Sequence, residues 1–371
     1  MAIGGVASTS ATERFRQRFT SLHPSHFRRL QDLWASSIGL GTYLGDADDQ
    51  TDAAYAEAIR TAVALGCNVL DTAINYRCQR SERTIGAALA RLIADGAVTR
   101  EELILCTKGG YLAFDGSVPK DPTRYVVDTV ISPGLATYEE IVAGCHCLSP
   151  AYLDAALATS LCNLRVESID VYYLHNPEQQ LEDISRETFS QRLEAAFGLL
   201  EARAHEGKIR YYGTATWNGY RGNPKAREYL SLEALVELAV RVGGTEHHFR
   251  VVQLPYNLAM PEASAFRNQT LHGESLSLLD AARQLGLSVM VSASLLQGRL
   301  AQLGAGLAKL IPQAETDAQR ALQFARSTPG VTTALAGMKQ SAHVRSNLAL
   351  AQQATLTTEQ LQHLFQRRRT S

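Results

Sequence analysis

Apolar residues recur along this chain in two rhythms. Short runs are apolar at nearly every position: Ser37–Thr42, Asn68–Asp71, Leu103–Thr107, Ile169–Leu174, Arg210–Gly213, Val251–Leu254, Leu287–Val291 and Val331–Leu335. Between them lie segments with helical spacing. Tyr55, Ile59 and Val63 fall on one face, as do Ile85, Leu89 and Leu92 after a start near Ser81-Glu82. Leu193, Phe197 and Leu200 mark another helix, and Val344, Leu348 and Ala351 a further one. Strands that are apolar throughout, with no alternation, belong to a sheet covered on both faces. Eight such runs alternating with eight helices predict a closed (β/α)8 TIM barrel in preference to an open doubly wound sheet.

The 371 residues exceed the roughly 250 of a plain barrel, and the surplus falls in three places. Residues 1–35 read as an N-terminal arm, rich in arginine (Arg14, Arg16, Arg18, Arg28, Arg29), ahead of a single barrel domain over 36–371. A transit peptide has that flavour. A polar arm whose last part packs under the barrel fits better, because neither a cleavage site nor an amphipathic stripe is evident. Two connections are too long for turns. One, at about 109–149, carries Tyr111, Phe114, Tyr125 and Tyr138; the other runs from Ala293 to about Asp317. Both leave strand ends where ionisable residues emerge, so they are expected to form a substrate lid.

Charge narrows the class. Lys and Arg number 36 against 37 Asp and Glu, which argues against a nucleic-acid or polybasic membrane face. No apolar run is long enough for a membrane span. The six cysteines show no CxxC spacing and suit a reducing, cytoplasmic setting. Cys145-His146-Cys147 lacks further ligands nearby, so no metal site is expected. Oligomeric state is not legible.

The candidate chemistry sits where three successive strands end. Asp71 and Tyr76 follow the second strand, Lys108 ends the third, and His175 ends the fourth. Strand ends are where functional side chains collect in parallel α/β proteins. A phenol, with a pKa near about 10, is a poor acid at neutral pH unless a neighbouring ammonium favours the phenolate. Lys108 can supply that charge, Asp71 can hold Lys108, and His175 can donate a hydrogen bond to a carbonyl oxygen gaining charge. These parts suit carbonyl reduction, but none supplies hydride, so a nicotinamide cofactor is required. Singly, each has a plainer reading: a turn cap, a packed aromatic, a lysine reaching the barrel edge, a core histidine. Their coincidence at strand ends favours the site.

The ordered motifs Leu70-Asp71-Thr72-Ala73 with Tyr76 and Ser81-Glu82, Thr107-Lys108, Asp170 through His175, Gly207 through Gly213, Val252-Gln253 with Tyr256-Asn257, and Gly337 through Leu348 resemble the aldo-keto reductase superfamily. The resemblance covers about Ile38 to Leu350. It implies an NADP(H)-dependent barrel with Tyr76 as acid/base, Lys108 and Asp71 as its tuning pair, and His175 orienting the carbonyl. It also implies cofactor contacts from Thr216, Gln253, Leu295, Gln297, Gly298, Gly337, Met338, Lys339, His343 and Asn347, with Lys339 facing the 2′-phosphate. Tyr43, Tyr111 and Trp217 are candidate contacts for a small carbonyl or alcohol substrate. The pattern departs at Ala215, where the family carries Ser before its Asn, and at Ser292, where it carries the aromatic that stacks on the nicotinamide. That loss leaves two alternatives open: a slow or regulatory cofactor-binding protein, and a redox-neutral enzyme of specialised metabolism.

Overall fold

A computed structural model describes residues 2–302 and 310–367. Eight parallel strands close into a barrel in chain order: β1 (Ile38–Gly41), β2 (Val69–Asp71), β3 (Ile104–Gly109), β4 (Ile169–His175), β5 (Ile209–Ala215), β6 (Phe249–Pro255), β7 (Ser288–Ser292) and β8 (Val331–Gly337). β8 pairs back with β1 through Ala334–Ile38 to Gly337–Gly41. The chain returns between strands through α1 (Asp49–Ala64), α2 (Arg80–Ala94), α3 (Pro150–Leu164), α4 (Arg186–His205), α5 (Leu232–Gly243), α6 (Leu278–Gln284) and α7 (Asp317–Ser327), and α8 (Ser341–Leu348) follows the last strand. This is the (β/α)8 barrel expected from the two rhythms.

The unbroken hydrophobicity of the strands resolves into two packed layers. Leu70, Leu105, Leu174 and Val252 point outward into the core beneath the helices, where Tyr55, Ile59, Leu89 and Phe197 also lie. Val69, Ile104, Cys106, Val171, Tyr173 and Val251 point inward and fill the barrel. Each fully buried aliphatic or aromatic side chain contributes on the order of 1.5–3 kcal/mol, so neither layer is dispensable. Side chains alternate along a strand, so the inward series continue upward: Val69 to Asp71, Cys106 to Lys108, Tyr173 to His175, Val251 to Gln253. Four polar side chains therefore cap an apolar barrel interior because they occupy its last inward positions.

The other end of the barrel is closed by the arm. Its antiparallel hairpin, Phe27–Leu30 with Leu33–Ser36, inserts Leu30, Leu33 and Ala35 into the interior cluster. A short helix, Thr9–Gln17, packs beside it with Ala11 and Phe15 buried. The arginines have structural work here: those of Arg16 and Arg29 lie over the Trp34 ring at 4.2 and 4.0 Å. Arg28 donates to the Val331 carbonyl at 2.7 Å.

The insertion between β3 and α3 is folded rather than looped. It holds a helical stretch, Pro122–Val126 running into Val127–Ile131, and a two-residue hairpin, Ile141–Val142 with His146–Cys147. Val130, Ala136 and Cys147 form a small apolar core with Ile74, Tyr152 and Ala156 beneath them. Of the second long connection, residues 303–309 lie outside the described part. A further hairpin, Gln269–Leu271 with Glu274–Leu276, was not foreseen from the sequence; it is three residues a side and partly polar. Among the described residues, no helix is long and apolar enough to cross a membrane.

Candidate active site

At the C-terminal mouth of the barrel, Lys108 Nζ donates to Asp71 Oδ1 at 2.6 Å and to the Thr72 carbonyl at 2.7 Å. The second Asp71 oxygen accepts from Gln253 Nε2 at 2.9 Å. Lys108 Nζ lies 5.1 Å from the centre of the Tyr76 ring. That ring meets His175 edge-on at 5.7 Å and Tyr43 at 5.0 Å. Tyr111 closes the far side of His175, again edge-on at 5.0 Å. The four residues at the strand ends therefore form one contiguous group.

Local backbone holds them there. The end of β2 is zipped to β3 by Thr72 N–H to Cys106 O at 2.9 Å and Ile74 N–H to Lys108 O at 3.2 Å. Tyr76 is followed by three residues in the left-handed region, Arg77, Cys78 and Gln79, with φ of 51°, 54° and 69°. For residues with side chains that run is strained, and something must hold it. Arg77 does so: its buried guanidinium donates to the Asp46 and Asp48 carbonyls and pairs with Asp52.

Electrostatics follow from burial. Burial alone would lower Lys108, but Asp71 and Tyr76 outweigh it and leave the ammonium above its ordinary value. Burial pushes the Tyr76 phenol up, and the charge of Lys108 only partly opposes this. The lowering expected from the ammonium is present but is not the larger effect, because so much protein surrounds the hydroxyl. His175 is driven well below its ordinary value, first by burial and then by the charge of Lys108, so it is neutral. Its Nδ1 is buried and meets no partner among the described residues.

These groups sit at one end of a cavity of about 830 Å³. Asp71, Tyr76 and His175 line it, while Lys108 stands behind them, 1% exposed. Of the residues expected around a cofactor, Thr216, Gln253, Leu295, Gln297, Gly298, Gly337, Lys339, His343 and Asn347 all line the same cavity. Met338 does not: its side chain is buried in the core beneath the helices, next along the strand from Gly337 and so facing the other way. Tyr43, Tyr111 and Trp217 line the cavity as expected of substrate contacts. Phe114 and Tyr125 do not, and instead pack on each other at 5.5 Å, while Tyr138 is exposed.

Several cavity residues escaped the sequence reading, among them Thr42, Leu44, Tyr55, Asn75 and Asn176. Asn75 and Asn176 each adjoin a predicted residue, which was the available signal. Glu178 gave none. It is buried under the Trp217 loop, and one carboxylate oxygen accepts from the backbone N–H groups of Trp217, Asn218 and Gly219 at 2.7, 3.0 and 3.2 Å. His146 gave none either, and it packs against the backbone of His175. Its Nε2 meets the His175 carbonyl at 2.8 Å and its Nδ1 meets Gln180 at 2.9 Å.

The model of the Aldo/keto reductase family matches residues 37–366. Among curated proteins, the uncharacterised oxidoreductase YqkF of Bacillus subtilis is 29% identical over 188 residues, covering 50% of this chain and 46% of that one. Prostaglandin F synthase 1 of Bos taurus is 26% identical over 140 residues, covering 38% and 31%. The matched stretches thus span less than half of these relatives. Among solved structures, an aldo/keto reductase of Klebsiella pneumoniae in complex with NADP and acetate superposes with a TM-score of 0.61 at 22% identity, over 92% of this chain and 94% of that one. The glycerol dehydrogenase AKR11B4 of Gluconobacter oxydans gives 0.65 at 18%, over 93% and 95%. At such identities these structures speak for the fold. The family match extends from the first barrel strand past α8, and on that ground the chain belongs to the aldo/keto reductase family.

Proposed function

We propose that this protein is an NADP(H)-dependent oxidoreductase that interconverts an aldehyde or ketone with its alcohol. One observation carries the reading: Asp71, Lys108, Tyr76 and His175 meet at one end of a cavity whose other walls hold Lys339, His343 and Asn347. The relative from Klebsiella pneumoniae with NADP bound supports the choice of cofactor.

The residues present fit such a dinucleotide. Thr216 Oγ1 and Ser294 Oγ are buried on the cavity and meet no partner among the described residues, as groups that meet a ligand's amide or phosphate would be. Gln297 and Gly298, with φ of 54° and 88°, turn the backbone sharply at the cavity wall. Lys339 forms no ion pair among the described residues and precedes α8, whose first turn has no side-chain cap. An anion there gains both a cation and free N–H groups. A reduced nicotinamide, when bound, supplies hydride to the carbonyl carbon.

The chain's own residues do the rest. Tyr76 gives its proton to the carbonyl oxygen, and Lys108 steadies the phenolate left behind. Asp71 keeps Lys108 charged and fixed through the 2.6 Å contact. Neutral His175 donates to the same oxygen, a type of contact worth roughly 2.7–4 kcal/mol in a transition state. Tyr43, Tyr111 and Trp217 wall the substrate end of the cavity.

A second reading rests on Ser292. It lines the cavity where the family pattern expects a stacking aromatic, so β7 offers the nicotinamide no ring. That favours a protein that holds the cofactor and turns over slowly. Fluorescence titration with NADPH, followed by NADPH consumption over a panel of aldehydes and ketones, separates the two. Binding with turnover supports the reductase, binding with none across the panel supports the second reading, and no binding contradicts both.

A further inference from the structure

On the opposite face of the barrel from the cavity, Glu201 and His205 lie one helical turn apart near the end of α4, and His248 stands just before β6. Each offers one ligand atom, and these three atoms lie within 4.8 Å of one another. We propose that Glu201, His205 and His248 bind a divalent transition-metal ion of the zinc class through one carboxylate and two imidazoles.

The carboxylate is built in. Glu201 is 4% exposed, and its Oε1 accepts from the Tyr212 hydroxyl at 2.9 Å and the His248 backbone N–H at 2.8 Å. Its Oε2 meets His248 Nδ1 at 2.7 Å. Gly243 of α5 makes room for it, since a Cβ there would come within 2.5 Å of the Glu201 carboxyl carbon. The two imidazole rings stand edge to face, 5.2 Å apart. Such outer contacts orient ligands in metal sites and raise their basicity.

Ligand chemistry selects the metal. Two imidazoles and one carboxylate suit zinc, nickel or copper, whereas magnesium and calcium want more oxygen donors. His205 is exposed, so the fourth position opens to water. The site also lies at the C-terminal end of α4, where the helix dipole favours a cation. Metal ligation uses neutral imidazoles and an ionised carboxylate, and the ion replaces the contact between His248 Nδ1 and Glu201 Oε2. The bound ion ties α4 to the start of β6, far from the mouth of the barrel. Its effect is therefore on stability.

No metal motif is visible along the chain because Glu201-x-x-x-His205 and His248 meet only across the fold. The test uses the full chain. Titration calorimetry with ZnCl2, with MgCl2 as control, is expected to show one zinc equivalent and no magnesium binding. CoCl2 is expected to give the visible absorption of a four-coordinate site. His205→Ala, a change at an exposed position, removes the cobalt bands and weakens zinc by about tenfold or more; Tyr212→Phe keeps all three ligands and weakens it by roughly tenfold. Zinc raises the unfolding temperature of the unmodified chain and not of His205→Ala. Absence of zinc binding leaves only a histidine–carboxylate hydrogen bond and overturns the proposal. So does binding retained in His205→Ala, which would assign the metal to surface thiols such as Cys162.

Discussion

Lys339 tests the cofactor end of the cavity one residue at a time. A charge-assisted contact to the 2′-phosphate is worth roughly 1.5–3 kcal/mol, so Lys339→Met is expected to weaken NADPH about ten- to a hundredfold while NADH changes little. Fluorescence titration with both cofactors reads this directly, and equal weakening of the two would move the phosphate elsewhere. Tyr76 carries a second expectation. Burial raises its phenol above the ordinary value, and reduction needs it protonated, so the rate of reduction stays level through neutral pH and declines only in the alkaline range beyond that of a free phenol. A decline centred near neutrality would assign the proton to another group. The gathering of Asp71, Tyr76, Lys108 and His175 was readable because the ends of successive parallel strands meet at one mouth of a barrel. Glu178, Asn75 and the burial that governs Tyr76 were not readable, because they depend on what packs around them.

At the scale of elements, the strained turn after Tyr76 is the most exposed to a single change. Arg77→Met keeps much of the stem but removes the contacts to Asp46, Asp48 and Asp52 that hold three left-handed residues in place. It is expected to lower turnover by tenfold or more with NADPH affinity nearly unchanged; loss of both in equal measure would mean general unfolding instead. Steady-state kinetics beside a cofactor titration distinguish these. Strands and helices were legible from their rhythms, and Leu89 or Phe197 pack where those rhythms place them. The insertion after β3 was legible in extent but not in shape. Its aromatics suggested a cavity wall, yet only Tyr111 serves, since Phe114 and Tyr125 satisfy each other and the segment's apolar core rests on Ile74 and Tyr152.

The whole molecule depends on closing the barrel at its lower end. Leu33→Ala removes a fully buried side chain from the hairpin that plugs it, and a loss of about 2–5 kcal/mol is expected in urea unfolding. A loss below 1 kcal/mol would mean the arm is only an appendage. Acid should also weaken the fold. Burial holds His26 near about 3 and His146 near about 4, against 6.5 when free, so the unfolded chain binds more protons below 6.5. That stability is present above pH 6.5 and is lost progressively as pH falls toward 4. Glu82 and Glu178, raised by burial, act in the opposite sense and make the slope shallower. Unfolding temperatures followed from pH 8 to pH 4 should fall; a level curve would show that these histidines do not govern it.

If the proposed function holds, Tyr76 is the proton donor of a nicotinamide-dependent carbonyl reduction. Tyr76→Phe deletes one hydroxyl and leaves the ring, the cavity and the Asp71–Lys108 pair in place. The measurement is single-turnover oxidation of bound NADPH by a carbonyl that the unmodified chain reduces, read beside the NADPH dissociation constant. The rate is expected to fall by at least about a hundredfold, within the range for loss of a general acid, with the dissociation constant nearly unchanged. A Phe variant that oxidises NADPH at close to the original rate would assign the proton to another group.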